Sequence, residues 1–430
     1  MRVAILGGGI GGLSCAHYAL NAGMQPVIFE AQNSYGALSS QFVHEGVRLD
    51  CFHTPLLGSD SAVCGLIAEL GLSNLLVWRR TETLAYLEGQ RRPFATGSDL
   101  LRFELLSRRD RARAAFGSMW SARWRRYGVS LDPVPASDWL RRLYGPRFFE
   151  RLWEPLLSAK YGEYADLVPA SLAWRLLSQH VGQQRTVRGY LRGGYSGLGR
   201  RLADSIEARG GQVRLKTPVE QIEAYPNYVR LELADRSQHT FDAVISTLTL
   251  PDLAKIAGPE LLAQLPYSNL AYQGLVSAVV MTRAPLGAGH YATFCLDRSM
   301  PFSHAADAAS VVPSDCLGGY RPIYLWRRCA AHTREYQAPD ADVERDAIAT
   351  LRTVYPTFDT SRVEAVRVFR APHVEPLWFV GAGEERPPVR LGNSRAYLST
   401  VAQAYPRDPG SDTSVMLARE TVHQLTRDAG

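Results

Sequence analysis

The chain has 430 residues, of which 46% are hydrophobic and 21% charged, and a formal net charge of +6. That length allows two domains with buried cores, and the apolar content excludes intrinsic disorder. No apolar run reaches the roughly 18 residues of a spanning helix, and the six cysteines are scattered without a C-x-x-C pair, so a zinc site is not expected and the thiols read as reduced.

The positive charge is nearly all arginine, and no zinc finger, helix-turn-helix or aromatic RNA motif accompanies it. Nucleic acid is therefore not an expected partner. A strand opens the chain at once, which leaves no room for a secretory leader and predicts a cytoplasmic protein.

In chain order, Arg2 to Leu6 is a short apolar run suited to a buried parallel strand. It feeds into Gly7-Gly8-Gly9-Ile10-Gly11-Gly12, with G-x-G-x-x-G at Gly7, Gly9 and Gly12. An amphipathic helix over 13–22 and a second strand over 25–29 follow, and that strand ends on Glu30. Strand, glycine turn, helix, strand and acid together are the dinucleotide-binding pattern. Gly7 permits the tight turn, Gly9 lets the backbone approach a pyrophosphate, and Gly12 lets the helix lie near the strand. The helix N-terminus at Gly11 and Gly12 offers free N–H groups to phosphate. Glu30 suits both hydroxyls of an adenosine ribose and repels a 2′-phosphate, which disfavours NADP.

Residues 61–70 read as a helix stopped by Gly71, and 86–94 as a hairpin around Glu88-Gly89. From 99 to about 179 the pattern is helical, punctuated by prolines. Within it, Arg108, Arg109, Arg111, Arg113, Arg123, Arg125 and Arg126 interleave with Phe116, Trp120 and Trp124. Such a stretch suits either a helix resting on an anionic membrane surface or a solvated face over a core stripe. A helix over 198–208 precedes β segments at 212–216, 217–222, 228–233 and 239–245. Further β segments fall at 270–282, 324–329, 363–369 and 396–399, with helices at 342–355 and 413–425.

Several separated pieces together resemble the FAD-dependent amine oxidase superfamily, and most closely its protoporphyrinogen-oxidase-like and phytoene-desaturase-like bacterial flavoproteins. They are residues 7–12 with Glu30, Tyr35-Gly36-Ala37-Leu38-Ser39, Leu49-Asp50-Cys51-Phe52-His53, the stretch 153–162, Gly193-Gly194-Tyr195, Thr217-Pro218-Val219, residues 242–247 and Tyr405-Pro406-Arg407-Asp408-Pro409-Gly410. Three positions depart from the family pattern. Ala37-Leu38-Ser39-Ser40 lacks the frequent arginine, Phe52 stands where D-x-G-x-H has glycine, and 400–404 lacks the frequent Gly-Asp.

The resemblance implies an α/β fold in which a Rossmann-type FAD-binding domain is interwoven with an α+β substrate-binding domain. The first is expected over 1–80, 190–265 and 381–430. The second is expected over 81–189 and 266–380, with a helical subdomain at 98–189. FAD is the implied cofactor and a small molecule the implied substrate. Gly36, Ala37 and Ser39 would follow the pyrophosphate, and the Val219 backbone would meet the adenine. Arg407 and Asp408 would reach the ribityl chain or pyrophosphate, with a turn-forming Asp408 as the plainer alternative. His53 would pass near the flavin as base, hydrogen-bond donor or structural residue. Lys160 is either a buried lysine titrating near neutrality or a partner of Glu154 or Glu163. The implied reaction removes a hydride from a C–N or C–C bond. A redox-neutral isomerase or mutase, and a non-catalytic flavin-binding protein, stand as alternatives.

Overall fold

The computed structural model describes residues 1–94, 131–180, 187–267, 270–286, 290–381 and 386–429, together with residues 99, 109, 112, 113 and 116. The basic 108–126 stretch therefore falls mostly outside the described residues, and its surface role rests on sequence alone.

The strands Arg2–Leu6 and Gln25–Phe29 pair in parallel, as the apolar runs predict. They form the centre of a five-stranded sheet completed by Gln212–Arg214 beside the second, and by Ala243–Ser246 and Ala396–Leu398 beyond the first. Strand order reverses between Arg2–Leu6 and Ala243–Ser246. In such sheets the ligand lies at that crevice, off the carboxyl ends of the strands. The helices Ile10–Asn21, Gly194–Ala208 and Ser411–Ala429 cover one face with Ser61–Glu69. The antiparallel ribbon Val219–Ala224, Val229–Leu233 and Gln238–Phe241 packs on the other.

One sequence expectation fails here. Residues 239–245 form not one β segment but two, Gln238–Phe241 and Ala243–Ser246, in different sheets. The break is a corner at Asp242. Its backbone N–H donates to the Arg2 carbonyl at 3.0 Å, and its carboxylate accepts from the Arg2 N–H at 2.7 Å.

A seven-stranded sheet makes the second layer, and its long strand Tyr272–Thr282 lies second from one edge. The helix Asp340–Val354 buries Val343, Ala347 and Leu351 against one face, beside Val276, Ala278 and Val280. The other face meets the hairpin Gln41–His44 and Val47–Asp50 at one end. At the opposite end it meets the helices Ala136–Tyr144 and Glu154–Tyr161. The Glu88-Gly89 hairpin forms as expected, with φ of 52° and 75° at the turn. The strand Val363–Pro376 runs seven residues past the expected end at Phe369, through Pro372. It is an edge strand, where proline is tolerated.

No helix among the described residues is long and apolar enough to cross a membrane.

Candidate functional site

The glycine turn is packed to the limit that glycine allows. A Cβ on Gly12 would lie 1.9 Å from the Gly7 carbonyl oxygen, so no other residue fits there. Gly7 has φ +103°, and a Cβ on it would meet Thr247 Oγ1 at 2.6 Å. Thr247 in turn closes the crevice by donating its hydroxyl to the Leu6 carbonyl at 2.7 Å. The helix starts at Gly9, whose carbonyl accepts the first bond from Leu13 N–H at 3.0 Å. The amides before Leu13 have no turn behind them and face the carboxyl edge of the sheet.

Glu30 is 9% exposed and accepts from Gly8 N–H at 2.6 Å and Gln32 N–H at 2.8 Å, one bond to each oxygen. Each oxygen keeps a lone pair for a ribose hydroxyl. The Glu30 carbonyl accepts from Thr217 N–H at 2.9 Å, which brings Val219 to the same corner. Gly36 N–H donates to the Gly8 carbonyl at 3.1 Å, and the short 3-10 turn Ala37–Ser39 begins there. The glycine turn, Glu30, Gly36 and Thr217 are thus gathered on one edge of the sheet. Gly11 lies there too, and a Cβ on it would come within 3.6 Å of Ser414. The N-terminus of Ser411–Ala429 therefore stands beside that of Ile10–Asn21, and two positive dipole ends converge. Asp412 of that turn is taken up elsewhere. Its carboxylate caps the helix Ser61–Glu69 through Ala62 N–H at 2.7 Å and Val63 N–H at 3.0 Å.

The group fits the residues: glycines where a Cβ would collide, free amides at a helix start, and a buried acid with spare lone pairs. A model of the flavin-containing amine oxidoreductase family matches residues 10–403. The chain belongs to that family. FAD is accordingly the cofactor for which this flavoprotein's glycine turn is built.

Its relatives are distant. It is 24% identical over 296 residues to the 15-cis-phytoene desaturase of Solanum lycopersicum, covering 62% of this chain and 49% of that one. The corresponding desaturase of Synechococcus elongatus is 22% identical over 51% of this chain and 50% of its own. The flavoprotein thus spans about half the length of the curated relatives it matches. A protein of Exiguobacterium sp. 255-15, provisionally named a protoporphyrinogen oxidase, is similar in structure, with a TM-score of 0.77, 17% identity and 99% coverage of both chains. Putrescine oxidase bound to putrescine follows at 0.71 and 17%, again with 99% of both. Reduced UDP-galactopyranose mutase follows at 0.75 and 13%, with 98% and 95% covered. At these identities the solved structures show a shared fold.

His53 lies 3% exposed between two tyrosines, stacked on Tyr324 at 5.1 Å and edge-on to Tyr291 at 5.9 Å. Its Nε2 has no hydrogen-bond partner. Burial pushes its pKa down to about 4, so the ring is neutral at pH 7. An unfolded histidine takes its proton near 6.5. The stability that neutral His53 supplies is therefore whole above pH 6.5 and is lost as pH falls from 6.5 towards 4. We expect the His53→Phe variant to lose less stability than the natural protein between pH 7 and 4.5, by about 2–3 kcal/mol. Urea unfolding at the two pH values checks this, and parallel losses would contradict it.

Lys160 corrects the sequence reading. Burial pulls its pKa down, but Asp408 and Glu375 more than offset that, so it rests above the ordinary lysine value and stays charged. Its Nζ lies 2.8 Å from Asp408 and 3.2 Å from Glu375. The nearer acids are engaged otherwise, Glu154 with Arg298 and Glu163 with His332. Glu375 is the site residue that sequence reasoning missed, since it lies past the expected end of its strand. Asp408 thus joins the ion pair, while Arg407 is exposed and turns its guanidinium to the Met416 sulfur.

Lys160 ties the helix Glu154–Tyr161 to the 405–410 turn and the seven-stranded sheet. We expect Lys160→Met to destabilise the protein by about 3 kcal/mol, because Glu375 is left buried without its closest cation. A change in urea midpoint under 0.5 kcal/mol would contradict the clamp.

A cavity of about 960 Å³ opens elsewhere, on the outer helical layer by His17, Glu69, Arg209 and Arg419. None of its lining residues belongs to the glycine turn.

Proposed function

We propose that this chain is an FAD-dependent oxidoreductase that removes a hydride from a C–N or C–C bond of a small molecule. The observation that carries the reading is the meeting of the glycine turn, Glu30 and the Ser411–Ala429 N-terminus on one sheet edge. Bound flavin supplies the acceptor for two electrons, and the protein supplies position and field. The residues 7–12, 36–39 and Val219 hold the dinucleotide half, in a domain built from 1–80, 190–265 and 381–430. Paired helix N-termini stabilise negative charge beside them.

His53 enters as a neutral imidazole, so it accepts a proton or donates a hydrogen bond without adding charge. Lys160 acts through its ion pair, holding the 405–410 turn in place, and does not serve as a neutral base at pH 7. The substrate sits between the seven-stranded sheet and the segment 41–53. Two-electron chemistry is tested by mixing the holoprotein anaerobically with candidate amines and unsaturated or reduced ring compounds. Bleaching of the flavin absorbance by one of them, with one oxidised product per flavin, supports the reading. Turnover with no change in substrate oxidation level contradicts it and favours a redox-neutral flavoenzyme.

A further inference from the structure

The seven-stranded sheet carries an aromatic row, interrupted once by Ser277, on the face that meets the dinucleotide-binding half. Phe369 pairs with Ser277, Ser277 with Trp326, Trp326 with His304, and His304 with Phe294, each directly opposite on the neighbouring strand. Directly opposed residues share a face of the sheet. The rings are near enough to form one surface. His304 lies 4.4 Å from Phe294 and 6.1 Å from Trp326 by ring centroids.

Core packing accounts for this row only in part: Trp326 and Phe369 border the cluster around Leu49 and Val279, and Phe294 borders the one around the helices at 136–161. Both ends join closed clusters, Phe294 against the helices at 136–161 and Phe369 against Phe42 at 5.0 Å. The members themselves are only half-buried. Ser277, fully buried, separates the rings of Phe369 and Trp326. Its hydroxyl donates to the Cys51 carbonyl at 3.0 Å, which ties the segment carrying Phe52 to the sheet at that position. Phe52 is half-buried too, 6.4 Å from Phe369.

The charges on this face also discriminate. The rows flanking the aromatic one contribute Arg367, Val279 and Tyr324 on one side and Ala371, Leu275 and Arg328 on the other. None is an acid. Glu375, further along the edge strand, is already held by Lys160 at 3.2 Å and Arg328 at 3.6 Å. No acid of these rows would pair with an alkylammonium ion desolvated here, and the Asp50 carboxylate of the covering segment already accepts from Gln41 at 3.0 Å, so the cost is several kcal/mol. A flat uncharged body would instead gain stacking and apolar burial.

We propose that the substrate of this site is a flat, uncharged ring compound lying on the Phe369–Trp326–His304–Phe294 row, and that Phe52 limits how wide it can be. The inference rests on the oxidoreductase reading for what then happens to the substrate, but the floor exists without it.

The test uses the holoprotein and two fluorescent probes of similar size. Acridine, unprotonated at mildly alkaline pH, is flat and uncharged, and proflavine is flat and cationic. The uncharged probe is expected to bind at least tenfold more tightly. Trp326→Leu and, independently, Ser277→Phe should each weaken it tenfold or more. Phe52→Ala should improve binding of the wider pyrene about fivefold. Equal binding of both probes, or uncharged-probe binding untouched by both Trp326→Leu and Ser277→Phe, overturns the proposal. FAD released on denaturation is measured on the same samples. Failure of the oxidoreductase reading appears as absent flavin or as turnover without substrate oxidation, and either leaves the probe-binding ratios, which test the floor, unchanged.

Discussion

The Gly12→Ala variant should fail to hold FAD. The added methyl would sit 1.9 Å from the Gly7 carbonyl oxygen, and that atom is backbone, which cannot swing aside as a side chain would. The helix Ile10–Asn21 must then move off the strand Arg2–Leu6 and carry its free amides away from the pyrophosphate. Overpacking of this kind costs about 3 kcal/mol, and we expect FAD affinity to fall on the order of 100-fold. Gly58→Ala is the control, because a Cβ there meets nothing within 4 Å. Reconstitution of the apoprotein with FAD, followed by flavin fluorescence, reads both. Equal affinity in the two variants would contradict the packing argument.

Glu30→Ala should have the second-largest effect. It removes the acceptor for Gly8 N–H and Gln32 N–H and leaves the buried Gly8 donor unpaired. Bonds to a charged acceptor are worth about 1.5–3 kcal/mol each, and the ribose contacts are lost with them. We expect FAD binding weakened about 100-fold and the urea midpoint lowered by the equivalent of about 2–4 kcal/mol. Glu30→Gln keeps one carbonyl oxygen as acceptor and should fall between. A Glu30→Ala protein that binds FAD as tightly as the natural one would remove Glu30 from the site.

These two positions were legible in the sequence because their chemistry is local. Gly7, Gly9, Gly12 and Glu30 fall within one strand–helix–strand unit, and each spacing has a steric or hydrogen-bonding reason. Lys160 shows the opposite case. The sequence offered Glu154 and Glu163 as nearby partners, but the helix ends at Gly162 with φ +59°, and the ammonium finds Asp408 and Glu375 from two other elements. The strand that presents Glu375 contains Pro372, which reads as a strand stop and is admitted only because the strand lies at a sheet edge.

The aromatic row was illegible for a related reason. The strands His290–Cys295 and His304–Asp307 are short and rich in alanine and histidine, so neither shows a clear alternation. Only the register across five strands shows that their rings share a face. Phe52 was visible as a departure from D-x-G-x-H, and its place beside Phe369, next to the Cys51 carbonyl that Ser277 holds, supplies a physical meaning for that departure.

The most direct test of the account is to purify the protein, denature it and examine what it releases. The account predicts a yellow protein that releases about one FAD per chain, identified by mass, with an apoprotein that takes FAD back. A colourless protein that fails to take up added FAD would contradict it.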